Sequence, residues 1–139
     1  MTAFEGFSTD QLVPLPAAFF TEVLPHITNQ AELRVTLHVF WLLSQQRGRA
    51  KRIAWGELVS DGVLQRSLRA VSPLRQPLER LEEGIGLAVE RGTLLHVTSD
   101  AAGRVENWYL VNTAANRSWA ERQSGVSLDR PERMSHDMD

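Results

Sequence analysis

Residues 72–97, "SPLRQPLERLEEGIGLAVERGTLLHV", decide the reading of the fold. Leu74, Leu78, Leu81, Ile85 and Ala88 step by four and three, the spacing of one buried helical face. Ser72-Pro73 is a good N-cap and first-position pair. Pro77 removes an early backbone donor, so either the first turn is loose or the regular helix starts near Pro77. Gly84 and Gly86 each weaken the helix by ~1 kcal/mol relative to alanine, a cost that close helix packing would offset. Gly92 ends the helix. "TLLHVTS" then reads as a strand, "DAAG" as a turn and "RVENWYLVN" as a second strand, together a β-hairpin. Val105, Trp108 and Leu110 do not alternate cleanly, which leaves the register open.

Working upstream, "TNQAELRVTLHVFWLLSQQRG" is the strongest helical segment. Asn29 with Glu32 resembles a capping box, and Gly48 is a natural stop. Its apolar residues, among them Leu37, Phe40 and Trp41, cover far more than one ~100°-wide stripe. Such a helix is either central in the core or shared between its own domain and a partner. Before it, "PLPAAFFTEVLP" reads as a short helix with Pro16 at its first position and Phe19, Phe20, Val23 and Leu24 on one face. After it come a basic loop, "RGRAKR", and two short helical pieces around Asp61-Gly62. Downstream of the hairpin, "TAANRSWAERQ" reads as a last short helix anchored by Trp119.

The expected order is helices, hairpin, short helix: a mainly α fold with a β-hairpin, in the winged helix-turn-helix layout. The expected divisions are an extended segment at 1–15, the winged-helix domain at 16–122 and a disordered tail at 123–139. No internal repeat is visible.

Composition narrows the function. The chain has 139 residues, enough for one core, and no cysteine, which excludes disulfides, thiolate metal sites and cysteine nucleophiles. No apolar run approaches the ~20 residues of a membrane span, and the N-terminus lacks a signal-peptide pattern, so a cytoplasmic location and no membrane partner are expected. His26, His38, His96 and His136 have no paired metal spacing, and there is no P-loop or nucleophile elbow. No enzyme, no metal and no cofactor are expected.

Net charge is −2, yet residues 47–80 hold eight basic and three acidic residues, a local +5. Two candidate sets of DNA contacts arise there. The loop offers Arg47, Arg49, Lys51 and Arg52, although cations after a helix C-terminus are also favoured by the helix dipole alone. The helix of the opening stretch offers Arg75, Gln76 and Arg80 in its first turns, where base readers sit. Glu82, Glu83 and Glu90 on its continuation repel phosphate, which fits the solvent face of a core helix better than a DNA reader. Arg66, Arg69 and Arg104 would extend the patch if folding gathered them. Trp41, Trp55, Trp108 and Tyr109 read as core or interface more readily than as a stacking platform for single strands. Leu37, Phe40, Trp41 and Trp108 are the candidate oligomer interface.

Residues 15–119, roughly three quarters of the chain, resemble the N-terminal domain of DnaD-type primosome proteins. The likeness is carried by "LPAAFFTEVLPHI", "NQAELRVTLHVFWLLSQQRG", "PLERLEEGIGLAVERGTLLHV" and "DAAGRVENWYLVNTAANRSWAE". The resemblance implies a winged helix that self-associates, as a dimer or higher homo-oligomer, and meets other replication-restart proteins. In that family DNA binding belongs mostly to a separate C-terminal helical domain, which has no counterpart before Asp139. The stretch is therefore either a fragment or a stand-alone domain, and at most weak direct DNA binding is expected of it. The alternative is a winged-helix transcription regulator that binds specific DNA sequences, which requires the +5 section to converge on one face.

Overall fold

In the computed structural model, residues 3–123 are described; the tail expected from 123 onward lies almost wholly outside them. Among the described residues, a π-helical turn (Phe19–Val23) and a 3-10 turn (Leu24–His26) lead into α1 (Gln30–Ser44). Then come β1 (Ile53–Ala54), α2 (Trp55–Ser60), α3 (Gly62–Val71), α4 (Pro77–Arg91), β2 (Leu94–Ala101), β3 (Arg104–Val111) and α5 (Ala114–Arg122). The three strands form one antiparallel sheet in the order β1-β3-β2. The fold is mainly helical with a β-hairpin, as expected. The two-residue β1, too short to leave a periodic signal, is an addition.

The joint between α1 and α4 organises the helices. Gly84 faces Ala31 so closely that a Cβ there would lie 2.5 Å from the Ala31 carbonyl oxygen and 2.8 Å from Val35 Cγ2. Gly86 faces open space. Of the two glycines, only Gly84 therefore serves close packing. Around the joint, Ala31, Val35, Val39, Leu81, Ile85 and Ala88 are buried together with Leu58, Leu64 and Leu68 of α2 and α3. Asn29 caps α1 by accepting from the Glu32 N–H at 2.9 Å. The reciprocal half of a capping box is not made, because the Glu32 carboxylate turns to Arg91 of α4.

The opening stretch resolves in favour of Pro77. The helix starts there with Gln76 as N-cap, and the Gln76 N–H donates to Glu79 Oε1 at 3.1 Å. Ser72 instead closes α3. Leu74 precedes the helix and is 93% exposed, and Leu78 is also exposed, so the buried face is Pro77, Leu81, Ile85 and Ala88 rather than one that begins at Leu74. The physical reason is that proline favours the first helical position and pushes the residue before it toward extended backbone. The far end is as expected. Gly92 adopts φ +92°, its N–H donates to Val89 and the Thr93 N–H donates to Ala88, a Schellman stop.

The expected stop at Gly48 is a correction. Helix α1 ends at Ser44, and Gly48 lies in the following loop with φ +95°. What closes the loop is Gln46: its side-chain amide accepts from the Arg52 N–H and donates to the Arg52 carbonyl, imitating a strand pair across 47–51.

The hairpin's irregular pattern also finds its cause. Leu94, Tyr109 and Ile53 face the helical core, while Leu95, Val97 and Leu110 form a second cluster with Ala120, against which Trp108 and Trp119 pack. The base of the hairpin is buried on both faces, so polar residues cannot alternate there. Register is Ala101↔Arg104 next to the turn, whose residues Ala102 and Gly103 both have positive φ, as a type I′ turn requires.

Candidate functional site

The basic residues do not gather on one surface. Arg75 and Arg80 both reach Glu83, at 2.9 Å and 3.4 Å, and Glu83 also accepts from Asn29 at the start of α1. The hydrogen bond from Asn29 foremost, against the opposing effect of burial and with Arg75 and Arg80 adding, holds the Glu83 carboxyl below its ordinary range. Gln76 is the N-cap of α4. This group thus sits at the N-terminal end of α1, whereas the loop 47–51 follows its C-terminal end. Fifteen helical residues, about 22 Å at 1.5 Å per residue, separate the two.

Within the loop, Arg52 parts from its neighbours. Its guanidinium lies 4.8 Å from the Trp108 ring centre and 5.0 Å from that of Trp119, and Nη1 donates to the Ala50 carbonyl. Trp108 pairs with Ala54 across β1 and β3, so Arg52, two residues earlier, shares its face of the sheet. The expected roles of Arg52 in DNA contact and Trp108 at an interface therefore meet a structural use. The arginine is held between two indoles by cation–π attraction, and Trp108 Nε1–H donates to Ser99 Oγ at 3.1 Å. Arg47 and Arg49 are exposed, Lys51 is half-buried, and Arg104 is exposed at the hairpin tip.

Of the interface candidates, Phe40 is a second correction. It is buried and meets Phe19 edge to face at 5.9 Å, so the chain's own opening turn covers it. Leu37 and Trp41 do remain on the surface, each 38% exposed. They line a cleft of about 500 Å³ between α1 and α3, with Arg34, His38, Val63 and Ser67. Val63, on α3, is 48% exposed and was not singled out from the sequence. Its signal was present: a valine two residues after the N-cap Asp61, where a short helix begins.

Polar groups fix the two walls of this cleft. His38 Nε2 donates to Asp61 Oδ1 at 2.9 Å, and the same oxygen accepts from the Leu64 N–H, capping α3. Burial works against the charge, but the Leu64 N–H and then His38 outweigh it, so the Asp61 carboxyl titrates below its ordinary 3.8. Arg34 Nη1 donates to the carbonyl and hydroxyl of Ser67 at 3.1 Å and 3.2 Å. The apolar cleft thus has a fixed shape, with one cross-helix tie near each end.

Elsewhere, His96 stacks on Tyr109 at 4.9 Å and its Nε2 lies 2.7 Å from Asn107 Oδ1, a structural setting. Among the described residues, no group of three potential metal-ligating side chains comes together and no helix is long and apolar enough to cross a membrane. Comparison of the chain with family models, curated proteins and solved structures gave no significant match.

Proposed function

We propose that this chain is a DnaD-like winged-helix module that self-associates and recruits replication-restart proteins, with at most weak direct DNA binding. The observation that carries the reading is the α1–α3 cleft, where Leu37, Trp41 and Val63 stay exposed on two helices tied rigidly together. Exposed aromatic and aliphatic residues around a fixed cleft are the surface of a protein–protein contact. The winged-helix part of the reading is supported by α4 running straight into a hairpin and by the antiparallel order β1-β3-β2. The exposed Glu79, Glu82 and Glu90 on α4 disfavour a phosphate backbone along that helix.

Light scattering after gel filtration tests self-association. A mass above one chain at about tens of micromolar is expected, and a clean monomer refutes it. Fluorescence anisotropy with duplex DNA tests the alternative, a sequence-specific regulator. The loop's free cations, Arg47, Arg49 and Lys51, would give a log K against log salt slope no steeper than about −3, from ~0.9 per phosphate. A steeper slope with tight, sequence-dependent binding would replace the leading reading by the alternative.

A further inference from the structure

Residues 3–15 form an arm without helix or strand. Its apolar side chains are the most exposed in that part of the chain: Phe4 71%, Phe7 90% and Leu12 78%. Phe4 and Phe7 pack on each other with ring centres 4.7 Å apart, making one aromatic knob. The arm's charges are Glu5 and Asp10, with no basic residue among 3–15. The arm leaves the body with Pro14 beside Phe40, Leu43 and Ser44, on a different side of α1 from Leu37 and Trp41. Fully extended, its thirteen residues span up to about 43 Å at ~3.3 Å each.

The α1–α3 cleft is the complement of that arm. Its apolar surface is Leu37, Trp41 and Val63, and its volume of about 500 Å³ falls within the ~300–1,000 Å³ of pockets that enclose small ligands. Arg34 lies in its lining, and the exposed Arg66 is one turn along α3 from Val63. Asp61, the carboxylate nearest the cleft, is engaged by His38 and the Leu64 N–H. An acidic aromatic arm thus meets a basic-edged apolar cleft.

We infer that the Phe4–Phe7 knob of one copy seats in the α1–α3 cleft of a second copy, with Glu5 or Asp10 facing Arg34 and Arg66. The inference rests on the self-association reading and names its contact. Two arms and two clefts satisfy each other in a closed two-fold dimer, because the same two surfaces are exchanged in both directions. The arm's own body leaves its aromatic residues open, and a second body covers them.

The absence of cysteine makes the test clean. Full-length chains are compared by light scattering at about tens of micromolar: unaltered, Phe4→Ser/Phe7→Ser, and Val105→Ser as a control on an exposed hairpin position away from both surfaces. Circular dichroism checks that each is folded. The expected result is a dimer for the unaltered and control chains and half that mass for the arm variant. In parallel, a Phe7→Cys chain is mixed under mild oxidation with a differently tagged Ser67→Cys chain. A disulfide between the two tags is expected. A dimer that survives Phe4→Ser/Phe7→Ser, or a mixture that yields no cross-link, overturns the arm contact while leaving self-association standing. A monomeric unaltered chain overturns both. A doubly substituted chain that cross-links only within itself shows an arm folded back on its own cleft and overturns the exchange.

Discussion

Replacing Gly84 by alanine sets two effects of known size against each other. In an isolated helix the change stabilises by ~0.8–1 kcal/mol. Here the new Cβ meets backbone, 2.5 Å from the Ala31 carbonyl oxygen and 2.8 Å from its carbon, as well as Val35 Cγ2 at 2.8 Å. A flexible side chain could turn away; a carbonyl inside α1 cannot. To restore an ordinary contact of about 3.4 Å or more, α1 and α4 must move apart by most of an ångström. That movement loosens Val35 against Leu81 and Ile85 and stretches the Asn29–Glu83 and Glu32–Arg91 ties that span the same joint. Overpacking of this kind costs typically ~1–3 kcal/mol and sometimes more. With the backbone as the obstacle the upper end applies, and subtracting the propensity gain leaves a net loss of about 2 kcal/mol.

Gly86, two residues along the same helix, is the internal control. Nothing lies within 4 Å of its Cβ position and the residue is exposed, so Gly86→Ala keeps the whole propensity gain, about 0.8–1 kcal/mol. The two substitutions are thus expected to differ in sign. Urea titrations followed by circular dichroism measure both, with a lowered midpoint for Gly84→Ala, a raised one for Gly86→Ala and an unchanged slope in each. A Gly84→Ala protein as stable as its parent, alongside a stabilised Gly86→Ala, would refute the close approach of α1 to α4.

Two further outcomes follow from polar groups at the joints. Arg91→Ala leaves the buried Glu32 carboxylate without its two donated hydrogen bonds and is expected to cost ~3–5 kcal/mol by urea titration, whereas Glu32→Leu/Arg91→Leu loses far less than the two single changes together. A double variant that loses as much as the two single variants added together would deny the pair its role. Asp61, whose carboxyl is depressed in the folded protein, contributes stability that is full above its unfolded value near 3.8 and is lost as pH falls through the lower folded value. Asn caps helices about as well as Asp, so Asp61→Asn should cost about 1 kcal/mol at pH 6 and less as the pH falls below the ordinary carboxylate range, and a difference independent of pH would rule the linkage out.

What could be read from the sequence follows the range of the interactions. The C-terminal end of α4 was legible because Gly92 acts on the carbonyls of its own last turn, and the N-cap of α1 because Asn29 reaches only to Glu32. The start of α4 was ambiguous because two prolines, Pro73 and Pro77, each suit a first helical position and only the tertiary burial of Pro77 chooses between them. Gly84 and Gly86 carried identical local signals, and the difference lies wholly in what α1 places opposite each. The candidate site was half legible. Leu37 and Trp41 stood out because α1 is apolar on too many sides, but Phe40 is covered by a turn earlier in the chain, and helical spacing cannot report that. Arg52 looked like one more cation of a basic loop. The two tryptophans that hold it come from β3 and α5, more than fifty residues away in sequence.

The same long-range pairing bears on what α4 is for. Counting from Arg75 to Glu83, two cations face three carboxylates, and Glu83 takes both cations while also holding the first turn of α1. At the other end Arg91 is spent on Glu32, where hydrogen bonding to that carboxylate raises its affinity for its proton. The side chains that would suit α4 to nucleic acid are the ones that lock α1 across it. Lifting Arg75 or Arg80 toward a phosphate would strip Glu83 of one of its donors, and lifting Arg91 would leave the buried Glu32 carboxylate unpaired, among the costlier states a fold can adopt. The helix before the hairpin is thus committed to carrying α1, and α1 in turn shows its remaining apolar face across α3. Rigidity at the first joint holds the α1–α3 cleft in one shape, as the proposed self-association requires.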